Sequence, residues 1–481
     1  MQMRQALPLP EIAGMNKARD AWPSWKALTV KERLRILAKL RVLIIRDMDK
    51  WIDVLQTEAY KTPMDTLTTE LMTVAEAISY YEKRAEALLR TKRMPTPWRF
   101  FGSRSYVVRE SRGVVAVIAP WNFPLQLSLI PVITALISGN VVLLKPSEKL
   151  PLTNQLVTSV IREAGFPDGV CQVIEGGQAT VERLIDCRPD HIFFTGGVEA
   201  GRNILKHAAK HLIPCELELS GKDPMIVCAD ALIERAARAA VWGAFMHNGQ
   251  VCVSVERVYV HERVYTEFVN RVIVLTKGLT QSLTEWSDLN GMTTETGWQH
   301  CQSLVDNARS QGADIVAGGL AEGAIPPLFP PTVLTGVTPN MRLMKEEIFG
   351  PLLPIIKVKD EQEAVRLANE SSYGLNAYIF AEDIVRARKL ASQLHTGNCF
   401  INDVVQNISN MHLPFGGVKE SGYGKIRGVE GLYAFTHAKS IMVNRGKRKK
   451  QMNWFPYDPK AFKWLKQAVR LLYGRRSRWL R

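Results

Sequence analysis

The chain has 481 residues, 46% apolar and 23% charged, which predicts two or three folding units and, with Gly and Pro spread evenly, excludes low-complexity and short-repeat architectures. The net charge is +15, but after residue 444 thirteen Lys and Arg face a single acid, Asp458, so the body is nearly neutral and the excess belongs to a basic tail. The seven cysteines form no CxxC pair and are odd in number, which argues against a disulfide framework or a structural metal and for a reducing, cytoplasmic compartment.

The first twenty residues lack the apolar stretch of a signal peptide. Residues 29–90 alternate apolar and charged positions at helical spacing. A basic, proline-containing connector follows (91–100). Tyr106–Pro120 then reads as two strands around a turn at Ser111-Arg112-Gly113. Leu125–Leu144 carries no charge, yet Pro131 and Gly139-Asn140 interrupt it, so a helix, a turn and a buried strand fit better than a membrane span. Strands are expected at Gly139–Leu144, Gly169–Ile174 and His191–Thr195, with helices between them such as Leu152–Ala164. A second block runs from Pro224 to about Ile401, with strands at Met225–Cys228, Val258–His261, Leu353–Val358 and Ala377–Phe380. This alternation predicts an α/β protein of two parallel-sheet domains, dividing near Ser220-Gly221, with a cleft between them.

Three segments carry chemistry. Cys252 closes Phe245–Cys252, a Gly-containing turn after a helical stretch; a reactive thiol and a buried structural cysteine are the competing readings. Asn122 stands between prolines at the carboxyl end of a strand, where it could aim an amide into a cleft or simply rigidify a turn. Glu218 lies between two leucines before a small-residue turn, as a general base of raised pKa or as part of an alternating surface strand.

Taken in order, the segments 120–124 (PWNFP), 139–148 (GNVVLLKPSE), 194–201 (FTGGVEAG), 217–222 (LELSGK), 245–252 (FMHNGQVC), 346–351 (EEIFGP) and 413–422 (LPFGGVKESG) resemble the aldehyde dehydrogenase superfamily over residues 20–443. The resemblance implies Cys252 as nucleophile, Asn122 with the Cys252 backbone N–H as oxyanion donors, and Glu218 as the base that activates water. A thiohemiacetal would give up hydride to a nicotinamide and become a thioester, which water hydrolyses. No GxGxxG fingerprint is present, and the family does not need one. The resemblance places Lys145 and Glu148 on the adenosine ribose, Thr195, Gly196 and Gly197 at the pyrophosphate, and Glu347 and Phe349 at the nicotinamide ribose, with Trp121 and Leu219 also in the cofactor site. Glu148 would repel a 2′-phosphate and so favours NAD over NADP. Glu347 has a competing reading as a solvated charge at a helix end. Ser220, where relatives have Gly, would put a hydroxyl beside the cofactor.

The family also implies an arrangement of domains: NAD-binding, 1–92 with 113–219; catalytic, 220–425; oligomerisation strands, 93–112 with 426–444; basic tail, 445–481. Pro131, Ile401–Asp403 and His412–Gly417 look closest to the dimeric and semialdehyde branches, which implies a homodimer, with a tetramer as the alternative. Leu125–Ser138 supplies Gln126, Leu127 and Ile130 and no basic residue, and Met246 and Val251 flank the thiol, so an apolar aldehyde is the expected substrate. Succinic semialdehyde or another oxo acid is the alternative, and a catalytically retired scaffold protein is the non-enzyme reading. In the tail, Phe462, Leu465, Val469 and Leu472 form an apolar helical stripe among Lys460, Lys463, Lys466 and Arg470, with Trp464, Tyr473 and Trp479 as amphipathic rings. That pattern predicts a helix lying on an anionic membrane surface, at its inner face, rather than a nucleic-acid contact or packing on the enzyme body.

Overall fold

The computed structural model describes residues 9–474 apart from 285 and 322. The chain divides into two compact units, one of residues up to 90 with 109–437, the other of 91–108 with the residues from 438 onward.

The first unit opens with helices Pro10–Ala27, Val30–Arg46, Met48–Ala59 and Met72–Leu89. The expected helical stretch begins where Thr29 caps its first helix: Thr29 Oγ1 accepts from Glu32 N, and Glu32 returns a carboxylate to Thr29 N. A π-helical turn, Thr66–Leu71, interrupts the run before Met72. The Pro10–Ala27 helix lies upstream of that expectation and is held by Trp25, whose indole N–H donates to Leu136 O at 3.1 Å.

Two sheets follow. In the six-stranded sheet the order is Gly422–Tyr423, Cys215–Glu218, His191–Thr195, Val114–Ile118, Val141–Lys145, Cys171–Val173, parallel except at the Gly422–Tyr423 edge. Val114–Ile118 and Val141–Lys145 are buried at every position, as expected of parallel strands covered on both faces. Helix Gln126–Ile137 packs against both. The seven-stranded sheet runs Asp314–Ala317, Thr332–Thr335, Leu352–Val358, Val255–His261, Asp223–Val227, Tyr378–Phe380, Phe400–Ile401, parallel except at Asp314–Ala317. The charge-free stretch is thus a helix and a strand, and among the described residues no helix is long and apolar enough to cross a membrane.

Several expectations need correction. Strand 139–144 begins at Val141, because Gly139 takes a φ of +86° and the Asn140 side chain accepts from the N–H groups of Arg112 and Gly113. Strand 169–174 shortens to Cys171–Val173 because Gly169 has a φ of +82°. The two strands around Ser111–Gly113 do not pair with each other. Ser103–Ser111 joins Lys92–Met94 and Thr436–Asn444 in a small sheet, whereas Val114–Ile118 enters the six-stranded sheet.

The second unit holds most of that small sheet and the tail. Helix Pro459–Tyr473 begins where the Asp458 carboxylate accepts from Lys460 N. Within the unit, Trp98 donates its indole N–H to the Tyr473 hydroxyl at 3.1 Å, and Arg448 lies over the Phe101 ring. Of the expected stripe, Phe462, Val469 and Leu472 are at least half exposed and Leu465 is partly buried; Trp464 is exposed beside them. Trp479 lies outside the described residues.

Candidate active site

The Cys252 turn is built from an unusual backbone run. Helix Ile233–Phe245 ends, and His247, Asn248 and Gly249 then take φ values of +48°, +53° and +70° in succession. Left-handed non-glycine residues persist only where surroundings over-determine them. Here His247 N donates to Asp65 Oδ2 at 3.3 Å, Asn248 Nδ2 donates to Gly291 O at 2.9 Å, and Gln250 Nε2 donates to His247 O at 3.2 Å. Gly249 has no substitute, since a Cβ would stand 2.1 Å from Gly350 O. The turn leaves Cys252 partly accessible between the buried Val251 and Val253. All seven cysteines are free thiols, and 215, 228 and 301 are buried.

Asn122 and Glu218 come to this turn from the six-stranded sheet. Asn122, only 4% exposed, gives one amide N–H to Gln250 O at 2.9 Å, two residues from the thiol. An amide has two such donors, so one remains. Glu218 ends its strand in a buried position, and its Oε2 has no hydrogen-bond partner. After it, Gly221 presses on the Cys252 backbone: a Cβ there would lie 2.1 Å from Cys252 O. Asn122 and Gly221 thus both meet the backbone of residues 250–252, and Glu218 lies three residues before Gly221.

Burial sets the electrostatics. It pushes the Glu218 carboxyl well above the ordinary carboxylate range, while Lys425 and Arg427 oppose the shift and Glu216 adds to it. Glu216 itself is pushed up to about 7 by burial. The Cys252 thiol is also pushed up, first by burial and then by Asp223, Glu347 and Glu218; Arg427 pulls it down.

The expected cofactor residues fall into two groups. Ile118, Lys145 and Thr195 stand side by side at the carboxyl ends of parallel strands. Lys145 Nζ contacts Glu148 Oε2 at 2.6 Å, and Glu148 keeps half its surface exposed. Burial would raise the Glu148 carboxyl, but the Lys145 bond holds it below its usual value. Helix Val198–Ala209 starts directly after Gly197, where a Cβ would meet open space; Gly196 could not carry one, since the Phe194 ring occupies that position. Thr195 Oγ1 is buried without a partner in the chain.

In the second group, the Trp121 and Phe349 rings meet edge to face at 5.6 Å, and Glu347 Oε1 accepts from Gly221 N at 3.2 Å. Glu347 is thus no solvated helix-end charge; burial and Glu256 raise its pKa. Leu219 is buried, donates its N–H to Ser421 O, and sits where a side chain on Gly201 would otherwise go. Ser220 is also buried, and it helps hold the Glu347 carboxyl down against the rise from burial.

Sequence reading missed three supports. Lys222 and Glu256 form a fully buried ion pair at 2.9 Å, and Glu256 accepts from the backbone N–H groups of Ile348 and Phe349 at 3.0 Å, pinning the 347–349 loop. Lys61 and Glu70 form a second buried pair, and Glu70 accepts from Gln126 N. The helix 126–137 is uncharged as expected, but the site is not, because Arg427 donates to Gln126 Oε1. A partly accessible thiol, an amide with a spare N–H and a buried carboxylate are the groups that carbonyl addition and thioester hydrolysis require.

Among known proteins, the sequence profile of the aldehyde dehydrogenase family matches residues 12–441. A 4,4'-diapolycopene aldehyde oxidase from a Methylomonas species is 41% identical, covering 96% of this chain and 87% of its own length. A Mycobacterium tuberculosis protein provisionally named succinate-semialdehyde dehydrogenase (NADP+) 2 is 32% identical over 90% of this chain and 84% of its own. The crystal structure of an NAD-dependent aldehyde dehydrogenase from Sinorhizobium meliloti superposes with a TM-score of 0.86 at 30% identity, covering 92% and 88% of the two chains. The chain belongs to the aldehyde dehydrogenase family.

Proposed function

We propose that the protein oxidises an apolar aldehyde to its carboxylic acid with NAD. The observation that carries this reading is that Asn122 and the Gly221 turn after Glu218 both meet the backbone that presents Cys252. Cys252 adds to the aldehyde carbon. The free N–H of Asn122 and the Cys252 backbone N–H stabilise the oxyanion, and fixed dipoles in a dry site do so without reorganising. Glu218 then takes a proton from the water that cleaves the thioester.

The residues present fit a dinucleotide. An orphaned buried hydroxyl (Thr195) stands two residues before the helix cap at Gly197, and Gly177 leaves space beside Glu148, where a Cβ would come no nearer than 3.9 Å. When bound, the nicotinamide supplies the two-electron acceptor. Lys145 and Glu148 would hold the adenosine ribose, Thr195 to Gly197 the pyrophosphate, and Glu347 with Phe349 the nicotinamide end, with Trp121 and Leu219 beside them. The exposed carboxylate of Glu148 favours NAD.

The apolar substrate rests on Ile130, Met246 and Val251, all buried beside the site segments, and on the polyene aldehyde named for the 41% identical relative. The mycobacterial relative favours a second reading, an oxo-acid aldehyde such as succinic semialdehyde. A panel of aliphatic, aromatic, polyene and carboxylate-bearing aldehydes, followed by NADH absorbance, separates the two. Turnover confined to carboxylate-bearing aldehydes refutes the apolar reading.

The assembly proposed is a homodimer formed through strand Thr436–Asn444, whose Ile441, Met442 and Val443 are exposed. The tail helix, with the exposed Trp454, Phe455 and Tyr457 before it and the exposed Met94, Trp98 and Phe101 of the connector, is proposed to rest on an anionic membrane surface.

A further inference from the structure

One short segment of the helical layer reaches both ends of the hydrogen bond from Asn122 to the Cys252 turn. Residues 59–70 run from the end of helix Met48–Ala59 through the π-helical turn Thr66–Leu71. Such wide turns interrupt helices and frequently mark functional sites. The segment carries Lys61, Asp65 and Glu70, all buried, and the side chains of Lys61 and Glu70 have no exposed surface.

Two of these charges hold the Asn122 end. Helix Gln126–Ile137 has no side-chain cap from Leu125, and Glu70 Oε2 supplies one by accepting from Gln126 N at 2.7 Å. A carboxylate there also suits the positive end of the helix. Phe123 O accepts from Leu127 N at 2.9 Å, so the capped turn includes the residue next to Asn122. Lys61 Nζ pairs with Glu70 Oε1 at 2.8 Å and lies 3.7 Å from the centre of the Phe123 ring.

The same segment holds the Cys252 end. Asp65 Oδ2 accepts from the N–H of the left-handed His247, whose ring meets Phe123 edge to face at 5.7 Å. Ala59 O accepts from the Thr293 hydroxyl at 2.8 Å, and Thr293 N donates to Gln250 Oε1 at 2.9 Å. Gln250 O is the acceptor for the Asn122 amide.

A fully buried ion pair returns little stability, since desolvation offsets the attraction and apolar residues of like volume often serve as well. What such a pair can supply is direction, because hydrogen bonds between charged groups fix geometry that apolar contacts leave loose. Direction matters here, since a misplacement of about 1 Å can cost about a hundredfold in rate. We infer that Lys61, Asp65 and Glu70 are positioning residues for acylation, setting the Asn122 amide against the turn that presents Cys252. The inference rests on the roles proposed above for Asn122 and Cys252.

The test follows p-nitrophenolate released from p-nitrophenyl acetate, which needs no cofactor. The thiolate attacks the ester carbonyl, a carbon–sulfur bond forms and p-nitrophenolate leaves; water, losing a proton to Glu218, then cleaves the thioester to acetate and the thiol. Burst amplitude counts working sites, and the burst rate constant at saturating ester reports acylation at each of them. The double variant Lys61→Met/Glu70→Leu replaces the ion pair by apolar groups and is expected to keep the amplitude while lowering the rate constant about tenfold. In an Asn122→Ala background the same double change is expected to alter the constant less than about twofold, because the group it positions is gone. A native constant in the double variant overturns the inference. So does an equal loss in both backgrounds, which would make the segment a support of the fold alone. If the double variant fails to fold, Asp65→Leu is expected to give the same background-dependent loss, and Asp65→Asn, which keeps an acceptor for His247 N, to restore the constant; a native constant in Asp65→Leu overturns the inference equally. Two further results would remove the underlying reading and the inference with it, each in its own arm: a native burst constant in Asn122→Ala, which removes the oxyanion role, or a burst that persists in Cys252→Ala, which removes the nucleophile.

Discussion

At the scale of single residues, Glu218 and Asn122 should fail in different steps. Glu218→Gln should leave acylation intact and stall hydrolysis, so NADH appears as a burst of about one equivalent before a slow phase. Asn122→Ala should slow acylation itself, by roughly two to three orders of magnitude. Stopped-flow absorbance distinguishes them, and a Glu218→Gln enzyme that deacylates at the native rate would point to another base. The pH dependence has a definite sign. In the proposed role Glu218 works as the carboxylate, and burial raises its pKa, so deacylation should rise with pH through a range above that of an ordinary carboxylate and fall away below it. The role proposed for Glu148 concerns a separate property, the choice of cofactor. Its replacement by Ser or Arg should narrow or invert the preference for NAD in kcat/KM, and a native enzyme at least as efficient with NADP would contradict the assignment. These residues were legible because each stands in a short segment with its neighbours in order. Arg427, Lys222 and Glu256 were not. Lys222 and Glu256 meet only because Asp223–Val227 and Val255–His261 are adjacent strands, and Arg427 reaches Gln126 across 301 residues of chain. Spacing along a sequence carries no trace of such pairings.

Among the elements, the long buried strands were read to within a few residues, and His191–Thr195 to the residue, because an unbroken apolar run bounded by turn residues has few other solutions. Two-residue strands such as Phe400–Ile401 and Gly422–Tyr423 were not read, since neither has room for a period. Gly422–Tyr423 nevertheless sets the wall beside Glu218. The Cys252 turn offers the sharpest test at this scale. Gly249→Ala adds a methyl against Gly350 O at a left-handed position, so it should destabilise the fold by on the order of 2–4 kcal/mol. A lowered melting temperature together with lost activity is expected, and a neutral variant would mean that the turn can rearrange. Gly197→Ser, by contrast, enters open space and should leave stability within about 0.5 kcal/mol of native.

For the whole molecule, the tail and the site make one proposal: a basic amphipathic helix holds the enzyme where apolar aldehydes dissolve. Sedimentation with anionic liposomes at low salt should pull down the full chain but not a version ending at Asn444, and added salt should weaken the binding. Equal sedimentation of the two versions, or none by either, would leave the tail to packing or solubility. The central claim, however, is that this chain oxidises aldehydes through Cys252, and it is tested most directly by NADH formation from an apolar aldehyde, native against Cys252→Ala, with NAD binding measured alongside. The account predicts turnover by the native enzyme and none by the variant, with NAD still bound by both. Substantial NADH formation by Cys252→Ala would contradict it.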